Sequence, residues 1–148
     1  MYRDRVGAFY VMAKDGTQLD AIMSNANALA RANWSMPPDH GGAAIRIILR
    51  DDALVEEWQD EITEMRARLR WVREKLAGAN DRVPGLDLAP LASQNGLFAI
   101  LKLGKEQIVK LREDHGIYMA GSGRINAAGL TSGNIDKFID ALADVTAG

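Results

Sequence analysis

The chain contains no cysteine and only two histidines, His40 and His115. The first absence removes disulfides, thiolate nucleophiles and zinc-thiolate sites, and it fits a reducing compartment. The second leaves little room for a histidine-rich metal site; each histidine reads as a surface or capping residue, and no metal is expected. No apolar run approaches the length of a signal-peptide core or a bilayer span, so no membrane partner is expected and the expected compartment is the cytoplasm. An excess of one charge is missing as well: 18 basic residues face 20 acidic ones, a net charge of -2. That balance gives no electrostatic footprint for nucleic acid. What is present is 148 residues with 47% apolar content, enough for one ordinary core in a soluble globular protein.

The strongest periodic signal lies in residues 51–79. Leu54, Trp58, Ile62, Met65, Leu69, Val72 and Leu76 recur at steps of four or three, which stacks them as one apolar stripe on a long helix. Away from the stripe, Glu56, Glu57, Asp60 and Glu64 come early and Arg66, Arg70, Arg73 and Lys75 late, matching the helix dipole. Glu64 and Arg68 form a favourable i, i+4 pair. Such a helix is too long for one small core and reads as a strut against which separate elements pack. Nothing on its stripe can do chemistry.

Before the strut, residues 6–13 (Val-Gly-Ala-Phe-Tyr-Val-Met-Ala) form an unbroken apolar run bounded by charge, the pattern of a strand buried on both faces. Such a strand needs neighbours on both edges, and few other candidates exist in the chain; part of its sheet is therefore expected in sequence beyond these residues. Thr17 is the expected cap of the next helix, whose buried face would be Leu19, Ile22, Met23, Ala26, Leu29 and Ala30. Pro37 and Pro38 fix two φ angles and remove two donors, so residues 35–42 read as a rigid loop, and a helix restarts over 43–49.

After the strut, Asn95-Gly96 signals a hairpin and residues 97–101 a strand. Residues 105–115 read as a helix stopped by Gly116, with 117–120 and 125–128 as strand pieces around Gly121-Ser122-Gly123-Arg124. A last helix follows Thr131 or Ser132 and buries Ile135, Phe138, Ile139, Leu142 and Val145. The part after Gly78 is thus a compact α+β unit.

Spacing alone yields no catalytic motif: there is no Ser/His/Asp arrangement, and Gly121-Ser122-Gly123 lacks the pattern of a phosphate cradle. Arginine at turns is the chemistry on offer. Arg124 follows two glycines, so its planar fork could meet a carboxylate with two parallel bonds, or it is an ordinary strand-edge arginine. Arg31, before the proline loop, fits an anion ligand or a helix-end residue favoured by the dipole. Arg5, at the entry to the apolar run, is unremarkable by itself.

These arginines coincide with three motifs in order. Tyr2-Arg3-Asp4-Arg5-Val6-Gly7, then Arg31-Ala32-Asn33-Trp34-Ser35-Met36-Pro37-Pro38-Asp39-His40-Gly41, then Ser122-Gly123-Arg124-Ile125-Asn126-Ala127-Ala128-Gly129 resemble the fold type I, class I aminotransferases. Within them the likeness is to the aromatic-amino-acid and aspartate aminotransferase subgroup, which uses pyridoxal phosphate. It runs from Tyr2 to the C-terminus and includes Asn95-Gly96-Leu97-Phe98; Met36, Asp39 and the His40-Gly41 end of the loop look closer to bacterial aromatic aminotransferases.

The resemblance implies roles residue by residue. Arg5 matches the arginine that pairs with the cofactor phosphate, and Arg124 the one that grips the substrate α-carboxylate. Arg31 matches the arginine that reaches across a homodimer interface to the distal carboxylate of dicarboxylic substrates, with Ser35 in the same cross-subunit loop. Phe98 matches a wall residue of the small domain that closes over the substrate. The family's Schiff-base lysine would lie just before Tyr2, and none of Lys14, Lys75, Lys102, Lys105, Lys110 or Lys137 matches it; its ring-stacking aromatic and pyridine-nitrogen aspartate are also unmatched. No catalytic residue is therefore assigned, since transamination needs that amine.

The expected fold is α/β with an α+β small domain. Residues 1–50 would be the C-terminal remnant of a large cofactor-binding domain, 51–79 the interdomain helix, and 80–148 the small domain of a fold like that of pyridoxal-phosphate transferases. The expected function is that of an aminotransferase's C-terminal portion, moving an amino group between an aromatic or dicarboxylic L-amino acid and a 2-oxo acid such as 2-oxoglutarate, and inactive alone. The competing expectation is a non-catalytic piece that serves self-association or partner binding, using residues 31–42 and the apolar run 6–13.

Overall fold

A computed structural model describes residues 2–147, without the side chain of Tyr2. It is helix-rich with one small sheet: α1 (Gly16–Trp34), α2 (His40–Ile48), α3 (Asp52–Gly78), β1 (Phe98–Ile100), α4 (Lys105–Glu113), β2 (Arg124–Asn126) and α5 (Ile135–Thr146). Short 3-10 turns occur at Tyr2–Asp4, Asn80–Arg82, Ala89–Ser93 and Ala127–Gly129. The chain divides into two compact units, Met1–Gln59 and Asp60–Gly148.

In the first unit, residues 6–13 are not a strand. They are irregular and mostly exposed, Phe9 at 83% and Met12 at 98%. The cause is the shortage noted above: a strand exists only by bonding to a neighbour, and among the described residues the only paired strands are β1 and β2. Asp15, not Thr17, caps α1; its Oδ1 accepts from the Gln18 N–H at 2.9 Å, which puts Thr17 inside the first turn. The expected buried face of α1 is not buried: Ile22, Ala26 and Ala30 are half-buried, and Leu19, Met23 and Leu29 are exposed. Helix α2 starts at His40, three residues before the expected 43. His40 pairs with Asp4 at 2.5 Å, and Gly41 lies so close to Val6 that a Cβ there would collide with Val6 Cγ2. That contact with the chain start, which local propensity does not encode, draws the end of the loop into the helix.

The long helix matches its periodicity closely, and Asp51 Oδ1 accepts from the N–H groups of Ala53 and Leu54 at its start. Its stripe is unevenly covered: Val72 and Leu76 are buried, Leu54, Ile62 and Leu69 half-buried, Trp58 and Met65 exposed. Arg73, expected on the solvated face, is buried at 3% exposure.

The second unit holds the core. Val72 and Leu76 of α3 belong to it with Leu88, Leu91, Leu101, Leu111 and Ile125, and with Ile135, Phe138, Ile139, Leu142 and Val145, the apolar face expected for α5. β1 and β2 are antiparallel, with Phe98 opposite Asn126, Ala99 opposite Ile125 and Ile100 opposite Arg124. Ala99 and Ile125 turn into the core; Phe98, Ile100, Arg124 and Asn126 turn out. Asn95-Gly96 does not make a local hairpin. Gly96, at φ 90°, turns the chain into β1 after the 3-10 turn Ala89–Ser93, and the pairing partner comes from β2, far along the chain. Residues 117–120 are not a strand, and β2 starts at Arg124, one residue before the expected piece. Gly116, at φ 64°, ends the α4 segment, and the Ile117 N–H reaches back to the Leu111 carbonyl at 2.9 Å.

Candidate carboxylate site

The site in the second unit begins with the approach to β2. Gly123 has φ 76°, and its backbone lies so close to Leu101 that a Cβ would collide with the Leu101 carbonyl oxygen. Only glycine fits there. The Leu101 N–H donates to the Gly123 carbonyl at 2.9 Å and the Ala127 N–H to the Leu97 carbonyl at 2.8 Å, so the ladder is extended at both ends of the register. Arg124 therefore starts β2 on its outward face, diagonal to Phe98 on β1. Diagonal neighbours on one face lie within reach of long and aromatic side chains. The Arg124 guanidinium carbon stands over the Phe98 ring, 4.9 Å from its centroid, a cation–π contact.

Both residues line an open cavity of about 580 Å³, together with Tyr118, Asn126, Asn134 and Lys137. Two cationic side chains line it, Arg124 and Lys137, and no carboxylate does. The two asparagines are engaged in shaping the turn: Asn126 Oδ1 accepts from the Ala128 N–H at 3.0 Å, and Asn134 accepts from Thr131 N–H at 2.7 Å while donating to the Gly129 carbonyl at 3.2 Å. Such a site can hold an organic acid by its carboxylate, with apolar wall from Phe98 and Phe138.

The other candidate residues lie in the first unit. Arg31 and Ser35 are brought together at the end of α1: the Ser35 N–H donates to the Arg31 carbonyl at 3.0 Å, and Arg31 Nη1 donates to the Ser35 carbonyl at 3.2 Å. Arg5 is exposed in the turn after Tyr2–Asp4. Among the described residues only Arg5, at φ 52°, and Ser35, at φ 58°, combine a side chain with positive φ. Conformations of this kind persist where the surroundings demand them and gather at binding sites. An exposed guanidinium on such a turn has the donor chemistry for a phosphate. The structure thus makes two pairs of the candidates, Phe98 with Arg124 and Arg31 with Ser35, in separate units.

Sequence reading missed two contributors. Arg68 has Glu64 as its expected partner one turn back, yet its Nη2 donates to the carbonyls of Ala128 and Leu130, at 2.9 and 2.8 Å. Arg73 is expected on the solvated face, yet its Nη2 donates to the carbonyls of Gly96 at 2.7 Å, Phe98 at 3.0 Å and Asn95 at 3.4 Å. A signal for Arg73 existed: Leu69, Arg73 and Leu76 are spaced i, i+4, i+7, which sets the arginine on the buried side. Among the described residues no group of His, Asp or Glu is placed to hold a metal ion, and no helix is long and apolar enough to cross a membrane.

Comparison with known proteins bears on this arrangement. The family model for aminotransferase class I and II matches residues 1–142. The chain is 42% identical to a tyrosine aminotransferase of Rhizobium meliloti, over 88% of this chain and 33% of the relative. It is 37% identical to an aspartate aminotransferase of Escherichia coli, over 98% of this chain and 37% of the relative. In structure it superposes on an aromatic-amino-acid aminotransferase of Burkholderia pseudomallei covalently bound to pyridoxal phosphate, with TM-score 0.88 and 33% identity, covering 99% of this chain and 37% of that one. The chain thus spans about a third of the length of these relatives.

Proposed function

The chain belongs to the aminotransferases of class I and II, and on that premise we propose that it supplies the carboxylate-recognising part of a pyridoxal-phosphate aminotransferase acting on aromatic or dicarboxylic L-amino acids and 2-oxo acids. The observation that carries this reading is Arg124 stacked on Phe98, in a cavity lined by two cations and no carboxylate. Arg124 holds the substrate α-carboxylate with its two parallel donors, and Phe98 walls the side chain. Arg31, with Ser35 beside it, takes the distal carboxylate across a homodimer interface. Relatives named for tyrosine and for aspartate both match, so the same arginines serve both substrate types in this proposal.

Arg5 would hold the cofactor's phosphate, which its exposed guanidinium suits. When bound, pyridoxal phosphate supplies an electron sink at the substrate carbon. The lysine that carries it has no match in this sequence, so transamination depends on a lysine from other sequence, and the chain alone is inactive. In this proposal residues 1–50 belong to the large domain, 51–79 link, and 80–148 close over the substrate in the cytoplasm.

The test has two arms. Titration of the chain with 2-oxoglutarate should shift the Arg124 side-chain resonances, and Arg124→Gln should weaken binding about tenfold or more, the scale of one charge-assisted bond. Mixing the chain with the N-terminal two-thirds of the Escherichia coli aspartate aminotransferase should restore transamination; a folded complex without it would sink the enzyme reading. A second reading, an association module, is favoured by one observation: Phe9, Tyr10 and Met12 form an exposed apolar run. It requires an oligomer with no carboxylate response at Arg124, and a monomer across a wide concentration range excludes it.

A further inference from the structure

Resting on the reading of Arg124 as the carboxylate ligand, we propose that Arg68 and Arg73 of α3 are positioning residues, a pair of guanidinium clamps that hold the β1–β2 ribbon so that Phe98 and Arg124 meet. The ribbon needs such support. Each strand has three residues, and a two-stranded sheet is marginal by itself. One face packs on the core through Ala99 and Ile125; the other carries Phe98 and Ile100 into solvent, 52% and 68% exposed. The core contact fixes how deep the ribbon lies, and the main-chain bonds at its two ends tie the strands to each other and not to the helix.

The clamps act at those ends. Arg73 gathers the carbonyls of Asn95, Gly96 and Phe98 on one nitrogen, pinning the chain as it enters β1. The pinned Phe98 carbonyl belongs to the residue whose ring carries Arg124. Arg68 gathers the carbonyls of Ala128 and Leu130, pinning the chain as it leaves β2 through the turn Ala127–Gly129. All five acceptors are main-chain oxygens, so the clamps fix backbone position whatever side chains lie there.

Arg73 is a costly brace, and that cost separates direction from mere filling. It is buried at 3%, its acceptors are neutral, and its Nε and Nη1 have no hydrogen-bond partner. A buried apolar side chain of similar volume avoids the desolvation of a charge and often stabilises. A methionine at this position would fill the space and release three carbonyls. If Arg73 served packing alone, such a change would be tolerated; if it sets the strand, the stack suffers while the core stands.

The experiment is nuclear magnetic resonance on the full chain, as wild type, Arg73→Met and Arg68→Gln. The readouts are the ring-current shift that Phe98 imposes on the Arg124 side chain, the methyl shifts of Leu142 and Val145, and the response to 2-oxoglutarate. Both variants should keep the α5 methyl shifts, lose at least half of the Arg124 ring-current shift, and bind 2-oxoglutarate about tenfold more weakly, the scale of one hydrogen bond to a charged group. Arg68→Lys, which keeps a cationic donor of nearly the same reach where glutamine is neutral and shorter, should recover part of the shift. If both variants retain the wild-type shift, the proposal is overturned, whatever happens to their melting points. If Arg73→Met does not fold, Arg68→Gln decides alone, because Arg68 is exposed and outside the core. A wild type that shows the stack without any response to 2-oxoglutarate overturns the ligand reading of Arg124, and the ring-current comparison still decides the clamps.

Discussion

Helices α1 and α5 both carry apolar residues at helical spacing, yet α1 buries none of its residues and α5 buries seven, Ile135, Phe138, Ile139, Ala141, Leu142, Val145 and Thr146. The difference is in what each unit can offer as cover. In Asp60–Gly148, α5 has α4 beside it and a core fed by α3, the 3-10 turn Ala89–Ser93 and both strands. In Met1–Gln59 the apolar run 6–13 forms no ladder and α2 buries only Gly41. An amphipathic helix states that one face needs cover. It does not state where the cover comes from, and the two units are the two answers to that question.

The largest test of this contrast is a pair of leucine deletions. Leu142→Ala should destabilise the second unit by about 2–5 kcal/mol, the range for a fully buried leucine, as read by urea unfolding. Leu29→Ala, 65% exposed on α1, should cost about 0.5 kcal/mol or less. Equal costs would break the contrast by showing that α1 is covered in solution; a dependence of the Leu29→Ala cost on protein concentration would then identify a second copy as the cover.

A smaller effect separates two glycines. Gly123→Ala forces a side chain into positive φ and against the Leu101 carbonyl, and should cost about 1–3 kcal/mol while dispersing the β1–β2 amide signals. Gly7→Ala meets nothing within 4 Å and should change stability by less than about 0.5 kcal/mol. A neutral Gly123→Ala would mean that the approach of β1 and β2 is looser than their geometry, and Arg124 would lose its fixed seat.

What could be read from the residues follows the same division. Helix α5 and the C-terminal half of α3 were legible because their periodicity is satisfied inside the unit that holds them. The run 6–13 was legible only as a demand: its residues fit a buried strand, and the structure leaves them unpaired for want of a neighbour. Asn95-Gly96 misled because a turn signal is local, whereas the partner of β1 is fixed by the clash-free approach of Gly123 and by the core-facing pair Ala99 and Ile125. Arg124 and Phe98 stood out through the family motif, and their stack follows from the register. Arg68 escaped because its acceptors are carbonyls sixty residues away, which no side-chain pairing rule in one helix anticipates.

The smallest effect concerns the residues that precede two helices, Asp15, whose side chain caps α1, and Asn134, whose side chain braces the turn ahead of α5. Asp15→Ala removes the oxygen that accepts from Gln18, and Asn134→Ala removes the one that accepts from Thr131. The Asp15 cap is worth about 1 kcal/mol and the Asn134 turn bond about as much as an ordinary hydrogen bond, roughly 1 kcal/mol, yet the two should be felt differently. α1 has no buried residue to hold it once its first turn opens, so Asp15→Ala should speed amide exchange over residues 18–22 by about fivefold, with little change in the global unfolding midpoint. Helix α5 is anchored at Ile135, Phe138 and Ile139, so its first turn opens only with the core around it. Asn134→Ala should therefore leave local exchange near its wild-type pattern and move the global midpoint instead. If Asp15→Ala also moved the global midpoint, the first unit would be unfolding together with the second, and the exposure of α1 would have to be reconciled with cooperative stability drawn from the length of α3.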